Sequence, residues 1–137
     1  MSEANKKPKK RVDVQLMVDE GKGGNGWEHV RVNGTDYAYK YVGGSKGHGN
    51  NVAVVGDPET ILYVELQRPK DRFVIRGCSF NPEIPDEFWF TRSDDLHAQV
   101  HDACEIVAST DYTILVLDNE KDNLVPCHPM MKNIPPP

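Results

Sequence analysis

The chain has 137 residues, with 16 Lys or Arg, 21 Asp or Glu and a net charge of -5. This length suits one domain with a hydrophobic core, and 38% hydrophobic with 27% charged residues excludes a coiled coil and a fully disordered chain. No run approaches the ~18 consecutive apolar residues of a membrane-spanning helix, and the first residues lack the apolar core of a secretory signal. We therefore expect a cytoplasmic protein without a membrane segment.

The first eleven residues are basic and almost free of apolar side chains. Such a segment has nothing to offset the entropy of ordering, so a disordered basic tail is predicted over residues 1–11. The chain then alternates as a strand does, and its apolar face consists of Val12, Val14, Leu16 and Val18. A single β-sandwich domain is predicted over residues 12–134, and a proline-rich end over residues 135–137.

Two glycine-rich segments, residues 21–26 and 43–49, lie on either side of the next hairpin. Its turn is the Asn33-Gly34 pair, a strong hairpin signal because both residues accept positive φ. The following strand carries a row of tyrosines on one face, Tyr37, Tyr39 and Tyr41. Neither glycine-rich segment fits the strand, glycine and helix pattern of a phosphate-binding loop, so we expect mobile hairpin loops.

The later apolar runs also fit short strands separated by turns, and valine, the residue that favours strands, occurs 15 times. One run places Leu62, Val64 and Leu66 on a single face, whereas residues 112–117 are apolar on both faces except at Thr113. Apolar residues on both faces indicate a central strand covered on both sides. About seven to nine short strands at regular spacing predict an all-β fold, an immunoglobulin-like or cupredoxin-like antiparallel β-sandwich.

The spacing of His97, His101 and Cys104 at i, i+4 and i+7 would bring them to one face of a helix as ligands of a transition metal. The same segment alternates apolar and polar residues, with Ala98 and Val100 beside the histidines, which favours an edge strand. On a strand the two histidines are ~13 Å apart and cannot share one ion. We therefore predict a strand here.

A second cluster, near the end of the chain, contains Cys127, His128 and Met130. A cupredoxin-like copper site combines one Cys, one Met and two His. The second histidine would come from His29, His48, His97 or His101. Adjacent residues of an extended segment point to opposite faces, so a core thiol beside a surface histidine is favoured. Metal binding or electron transfer through these residues is the alternative function.

Motifs for catalysis are missing: there is no Gly-x-Ser-x-Gly, and no cysteine with a convincing histidine and asparagine arrangement. We predict no catalytic residues and no cofactor, and the leading hypothesis is a non-catalytic structural or interaction module. Nucleic acid is not expected as a partner, because the basic charge is concentrated in residues 1–11 and the remainder is acidic. The odd number of cysteines, three, predicts reduced thiols.

One predicted strand also suggests self-association. Its side with Leu115 and Leu117 would suffice for a sandwich core, so its other side, with Tyr112, Ile114 and Val116, needs a cover of its own. Tyrosine is enriched where proteins meet. We therefore expect a homo-oligomer or a protein partner.

Five segments occur in a suggestive order: LYVEL at 62–66, FVIRGCSF at 73–80, SDD at 93–95, YTILV at 112–116 and HPMMKNIP at 128–135. This order resembles the DP-EP family, small bacterial proteins of unassigned function that tend to finish in an Asp-Pro-x-Ile-x-Asn-x-Pro-like segment. Related endings occur in bacterial inclusion-body proteins. The resemblance implies an immunoglobulin-like or cupredoxin-like sandwich and no particular activity.

Overall fold

The computed structural model describes residues 8–67 and 71–136, and these ranges contain eleven strands and no helix. The strands are β1 (Lys10–Glu20), β2 (Glu28–Val32), β3 (Thr35–Gly43), β4 (Asn51–Val54), β5 (Thr60–Gln67), β6 (Phe73–Asn81), β7 (Phe88–Arg92), β8 (His97–Asp102), β9 (Ala108–Asp118), β10 (Asn123–Cys127) and β11 (Met130–Ile134). No helix of the described chain is long and apolar enough to cross a membrane. The all-β prediction is confirmed.

Two sheets form the sandwich. Sheet A has the order β2-β3-β1-β5-β8-β7. In sheet B, β9 pairs with β6 on one side and with β10 and β11 on the other, and β4 follows β11. The sheets are mixed, because β1 pairs with β5 and β11 pairs with β4 in parallel. The prediction of antiparallel pairing throughout, with seven to nine strands, is therefore wrong in these two details. Side-chain alternation specifies which face is buried and carries no information about the direction of the neighbouring strand.

The core lies between the two sheets, and the alternation of the predicted strands is confirmed there. Sheet A contributes Val14, Leu16 and Val18 of β1, the three tyrosines of β3, and Leu62, Val64 and Leu66 of β5, all of them buried. Aromatic edges join the sheets, with the Tyr41 and Tyr112 rings 6.1 Å apart at 76°. Each large side chain buried in this way contributes about 1.5–3 kcal/mol to folding.

Strand β9 faces the core with the side opposite to the one predicted. Tyr112, Ile114 and Val116 are fully buried between the sheets, whereas Leu115 and Leu117 lie half-buried on the outer surface of sheet B. The expectation that the tyrosine side needs cover from a second chain is wrong. Since both sides of this strand are apolar, alternation alone could not identify the inner one.

The first described strand begins before the predicted domain boundary. Lys10 and Arg11 already pair with Thr60 and Ile61, and the Lys10 amide donates a hydrogen bond to the Glu59 carbonyl at 2.8 Å. Backbone pairing orders this end although its side chains are polar. Residues 1–7 of the predicted tail lie outside the described residues, as does the last residue of the proline-rich end.

Candidate functional site

The residues of the predicted metal site are not brought together. Cys127 is fully buried between the sheets, His128 is exposed, and Met130 is half-buried. His97 and His101 lie on the outer side of sheet A, with the sheet between them and Cys127. Among residues 8–67 and 71–136, no three His, Cys, Asp or Glu side chains are close enough to hold a metal ion. The strand predicted for the two histidines is confirmed.

The Cys127 thiol has the environment of a core residue. Burial raises its pKa far above the usual value, so the thiolate that a metal requires is disfavoured. Burial also raises the pKa of the Cys104 thiol to about 11 and that of the Cys78 thiol to about 12. All three cysteines are unpaired, as predicted.

His128 interrupts an otherwise continuous strand. β10 and β11 pair with β9 in one unbroken register, and His128 and Pro129 occupy the gap. Proline has no N–H for a sheet ladder, which explains the gap. The His128 Nδ1 atom lies 3.0 Å from the Thr113 hydroxyl on the outer side of sheet B.

The second glycine-rich segment is closed by its own backbone. The Gly49 amide donates to the Gly43 carbonyl at 2.9 Å, and the Asn50 amide donates to the Gly47 carbonyl at 3.0 Å. Gly43 has φ 103°, and a Cβ there would lie 2.3 Å from the Asp13 carbonyl oxygen, so glycine is required. His48 of this loop and His128 line one cavity of about 380 Å³ at this end of the sandwich.

The outer surface of sheet A carries a grid of polar and aromatic side chains, which we call the polar face. Strand register arranges it in three rows: Arg11, His101 and Trp89 with the buried Ile61 among them; Asp13, Tyr63, Gln99 and Thr91; and Gln15, Glu65 and His97. A cavity of about 380 Å³ lies over β1, β5 and β8 in this face. The sequence indicates the two histidines but not the face, since its rows join strands that are distant in the chain.

Aromatic and charged groups of the polar face are stacked on one another. The Arg11 guanidinium lies 4.1 Å from the centre of the Tyr63 ring and donates from Nε to the Asp13 carboxylate at 2.9 Å. The Trp89 and His101 rings are parallel, with their centres 5.0 Å apart at 4°. These contacts fix the planes of the rings relative to the sheet.

Hydroxyl and amide groups join the remaining side chains. The Thr91 hydroxyl donates to Gln99 Oε1 at 2.9 Å and lies 2.9 Å from His101 Nε2. Gln99 Nε2 donates to the Ser93 hydroxyl at 2.7 Å. Partial burial lowers the pKa of His101, so its neutral form is favoured.

His97 lies between two carboxylates. Its Nδ1 atom is 2.8 Å from Asp94 and its Nε2 atom is 3.1 Å from Glu65. Both carboxylates raise the pKa of His97, and Asp94 contributes more than Glu65. The imidazolium is therefore favoured, and each nitrogen carries a proton toward a carboxylate.

The outer surface of sheet B has a different character. Leu117 pairs with Leu124 and Leu115 with Pro126 across β9 and β10, which makes an apolar patch that we call the apolar face. Leu124 is 48% exposed, and the other three side chains are half-buried. Gly77, at the bulge of β6, adds no side chain beside Leu115.

Two buried clusters of acidic residues lie at opposite ends of β9. At one end the Arg72 guanidinium donates twice to Asp118, at 2.7 Å each, and Asp118 also accepts the Tyr37 hydroxyl at 2.5 Å. Arg72 is the main cause that lowers the pKa of the fully buried Asp118 to about 2. This cluster joins the turn after β9 to β3 and has a structural role.

The cluster at the other end contains no Lys or Arg from residues 8–67 and 71–136. Asn133 Nδ2 donates to Glu87 Oε2 at 2.6 Å and to Asp102 Oδ1 at 2.8 Å. Glu87 Oε2 also accepts the amides of Glu105 and Ile106, at 2.9 and 3.2 Å, and so holds the loop between β8 and β9. Burial is the main cause that raises the pKa of Asp102.

Comparison with known proteins gives little further information. No family model matches the chain, and no curated protein matches it. Among solved structures it is similar to an endo-fucoidan hydrolase of glycoside hydrolase family 107, with a TM-score of 0.46 and 9% identity over 89% of this chain and 24% of that protein. The chain spans about a quarter of the length of that enzyme, and a similarity this slight carries no argument about function.

Proposed function

We propose that the chain is a non-catalytic interaction module that self-associates through the apolar face. The observation that carries this proposal is the apolar surface formed on sheet B by the exposed Leu124 together with the half-buried Leu115, Leu117 and Pro126. Contiguous apolar surface of this kind marks a place where proteins meet. The module is proposed to be cytoplasmic, since its three unpaired thiols fit a reducing compartment.

A second copy of the chain is the occupant that best fits this face. A two-fold axis near β10 would place each patch against its counterpart, as in an isologous dimer. The four side chains carry no charge, so pairing two patches buries no unpaired ion. Both the self-association and the resemblance to the DP-EP family stay predictions.

The contacts of His101 do not form a catalytic triad, which supports a non-catalytic role. Thr91 and His101 form a hydroxyl–imidazole contact, but the buried Nδ1 atom of His101 has no hydrogen-bond partner among the residues that the structure describes. A catalytic triad needs a third group that orients the ring through this nitrogen. The alternative, a metal or electron-transfer protein, has no converging ligand set among the described residues to support it.

Light scattering over a concentration series tests the self-association. We expect the mass to rise from 15.4 kDa toward twice that value, and Leu124→Glu to hold it at the monomer value because a charge would be buried in the interface. Thr91→Glu on the polar face is the matched control and leaves the dimer intact. A wild-type mass that stays at 15.4 kDa at every concentration contradicts the proposal.

A further inference from the structure

We infer that the polar face is a second binding site, separate from the apolar face, and that its ligand is an uncharged oligosaccharide. Sheet A and sheet B have their outer surfaces on opposite sides of the sandwich, so both sites are accessible at once. The inference rests on the hydrogen-bonding groups, the charge balance, the aromatic rings and the rigidity of the face.

The hydrogen-bonding groups of the face suit a ligand rich in hydroxyls. Each sugar hydroxyl donates one hydrogen bond and accepts others, so it needs donors and acceptors side by side. Arg11 and Gln15 supply donors, and Asp13 and Glu65 supply acceptors, around the same cavity of about 380 Å³. Pockets of roughly 300–1,000 Å³ with convergent polar groups are typical of small-ligand sites.

The charge balance of the face favours an uncharged ligand. Arg11 is paired with Asp13, and His97 lies between Asp94 and Glu65, so each cation has an acidic neighbour within hydrogen-bonding distance. An anionic ligand would approach the carboxylates, and a cationic ligand would approach the guanidinium and the imidazolium. Only a neutral ligand avoids both repulsions.

Aromatic rings supply the apolar part of the site. Tyr63 lines the cavity, and Trp89 lies in the next row, half-buried and parallel to His101. Arg11 and His101 each cover one face of these rings, and the C–H side of a sugar ring can pack on the ring surface that they leave uncovered while its hydroxyls reach neighbouring polar groups.

The side chains of the face are held before any ligand binds. Hydrogen bonds among Thr91, Gln99 and Ser93 and the stacking of Arg11 on Tyr63 limit their rotation. Binding therefore orders few side chains, which lowers its entropic cost.

A titration of the full chain monitored by amide NMR tests the inference, with hexasaccharides of β-1,4-glucose, β-1,3-glucose, β-1,4-mannose and β-1,4-xylose as probes and a heparin hexasaccharide as the anionic comparison. We expect at least one neutral probe to shift amides of β1, β5 and β8. Asp13→Ala and Gln15→Ala, both at exposed positions, should each weaken that probe about tenfold through a lost hydrogen bond.

Lys132→Ala on sheet B is the matched control and should leave the affinity unchanged. Leu124→Glu should bind the probe as the wild type does, which separates this site from the proposed dimer. The inference is overturned if no neutral probe shifts these amides, if the shifts map elsewhere, or if heparin binds the face more tightly than every neutral probe.

A second inference concerns Asp102 and is carried by two buried oxygens. Within the part of the chain that the structure describes, Asp102 Oδ2 and Asn133 Oδ1 have no hydrogen-bond partner, although Asp102 Oδ1 already accepts from Asn133 Nδ2. We propose that Asp102 is protonated in the folded chain and donates from Oδ2 to Asn133 Oδ1. This one proton gives both oxygens a hydrogen bond. The Asp102 carboxyl and the Asn133 amide are then joined by two hydrogen bonds.

The surroundings of Asp102 agree with a neutral acid. Thr60 of β5 and Phe88 of β7 are its neighbours in the sheet, Cys104 donates its amide to Oδ1, and Glu87 is the nearby acidic group. Among residues 8–67 and 71–136, no Lys or Arg forms an ion pair with either carboxylate. A second negative charge beside Glu87 would therefore be buried without a counter-ion.

Carbon-13 NMR of the aspartate carboxyls tests this in the wild-type chain. We expect the Asp102 carboxyl to titrate above its ordinary range. Asp102→Asn should be more stable than the wild type at pH 8, with a difference that shrinks at pH 4, and Asp111→Asn should show no such trend. An Asp102 carboxyl that titrates in or below the ordinary range overturns the proposal, whether or not the variant folds.

Discussion

The two buried acidic clusters at the ends of β9 solve one problem in opposite ways. Asp118 keeps its charge because the Arg72 guanidinium binds it with two hydrogen bonds of 2.7 Å. Among the described residues, the partners of Asp102 are a side-chain amide and a backbone N–H, with no cation. The pKa of Asp118 is accordingly lowered and that of Asp102 raised. The comparison teaches that burial alone does not set the charge of a carboxyl; its partners do.

Removal of the Arg72 cation should lower the free energy of unfolding more than any other change considered for these two clusters. Arg72→Met leaves Asp118 charged and buried without its partner, and we expect a loss of about 3–5 kcal/mol in the free energy of unfolding at pH 7. Urea denaturation measures it. Arg76→Met on strand β6, which follows Arg72 in the chain, is the control, since Arg76 is exposed and a surface change stays within about 0.5 kcal/mol. A loss below about 1 kcal/mol for Arg72→Met would show that Asp118 does not depend on it.

Truncation of Glu87 in the cluster around Asp102 should lower the free energy of unfolding by a smaller amount. Glu87→Ala leaves the amides of Glu105 and Ile106 and one N–H of Asn133 without an acceptor, and we expect a loss of about 3 kcal/mol. Hydrogen exchange should accelerate at Glu105 and Ile106. Unchanged exchange there would mean that Glu87 does not hold the loop.

The free energy of unfolding should fall at acid pH, a part of the stability curve that we call the acid limb, and this fall should come from Asp118. Its folded pKa of about 2 lies below the ordinary value, so its contribution is complete at higher pH and is lost as the pH falls toward 2. Asp102 has the opposite sign, because a raised folded pKa favours folding at low pH and loses that contribution as the pH rises through it. We expect Arg72→Met to flatten the acid limb in a pH series of urea denaturation. An acid limb as steep as that of the wild type would assign it to other carboxyls.

The smallest effect is expected at the surface, where His97 has acidic partners but is exposed. Asp94→Asn and Glu65→Gln should each lower the pKa of His97, the first more than the second, as followed by imidazole NMR. The raised pKa stabilises the fold at low pH, and this contribution is lost as the pH rises through it. Solvent screening keeps the change in stability small. Equal effects of the two variants would contradict the order of causes.

How far the sequence alone predicts this molecule differs between its inner and outer surfaces. Strict alternation in β1 and β5 identified their buried residues, because the single apolar face of such a strand packs toward the core. In β9 both faces are apolar, and only the packing of the other sheet decides that Tyr112 lies inside and Leu115 outside. The parallel pair of β1 and β5 leaves no mark in either segment.

The sites were less predictable than the fold. The opposite orientations of Cys127 and His128 followed from strand geometry and are confirmed. The contact of Asn133 with Glu87 and Asp102 had no sequence signal, since these residues lie 46 and 31 positions apart. Such clusters form only once the sheets close, so a local pattern cannot reveal them.

The parallel pairing of β1 with β5 also affects how the chain folds. Lys10 pairs with Thr60, so β1 cannot complete its pairing until a segment fifty positions later is available. Contacts between such distant segments slow folding, because the loop between them must close before the contact is made. Until then the backbone N–H and C=O groups along one edge of β1 are unpaired and can pair with another chain, and the valines of its apolar face are not yet covered. A fragment that ends before β5 is therefore the form of this protein most prone to aggregate.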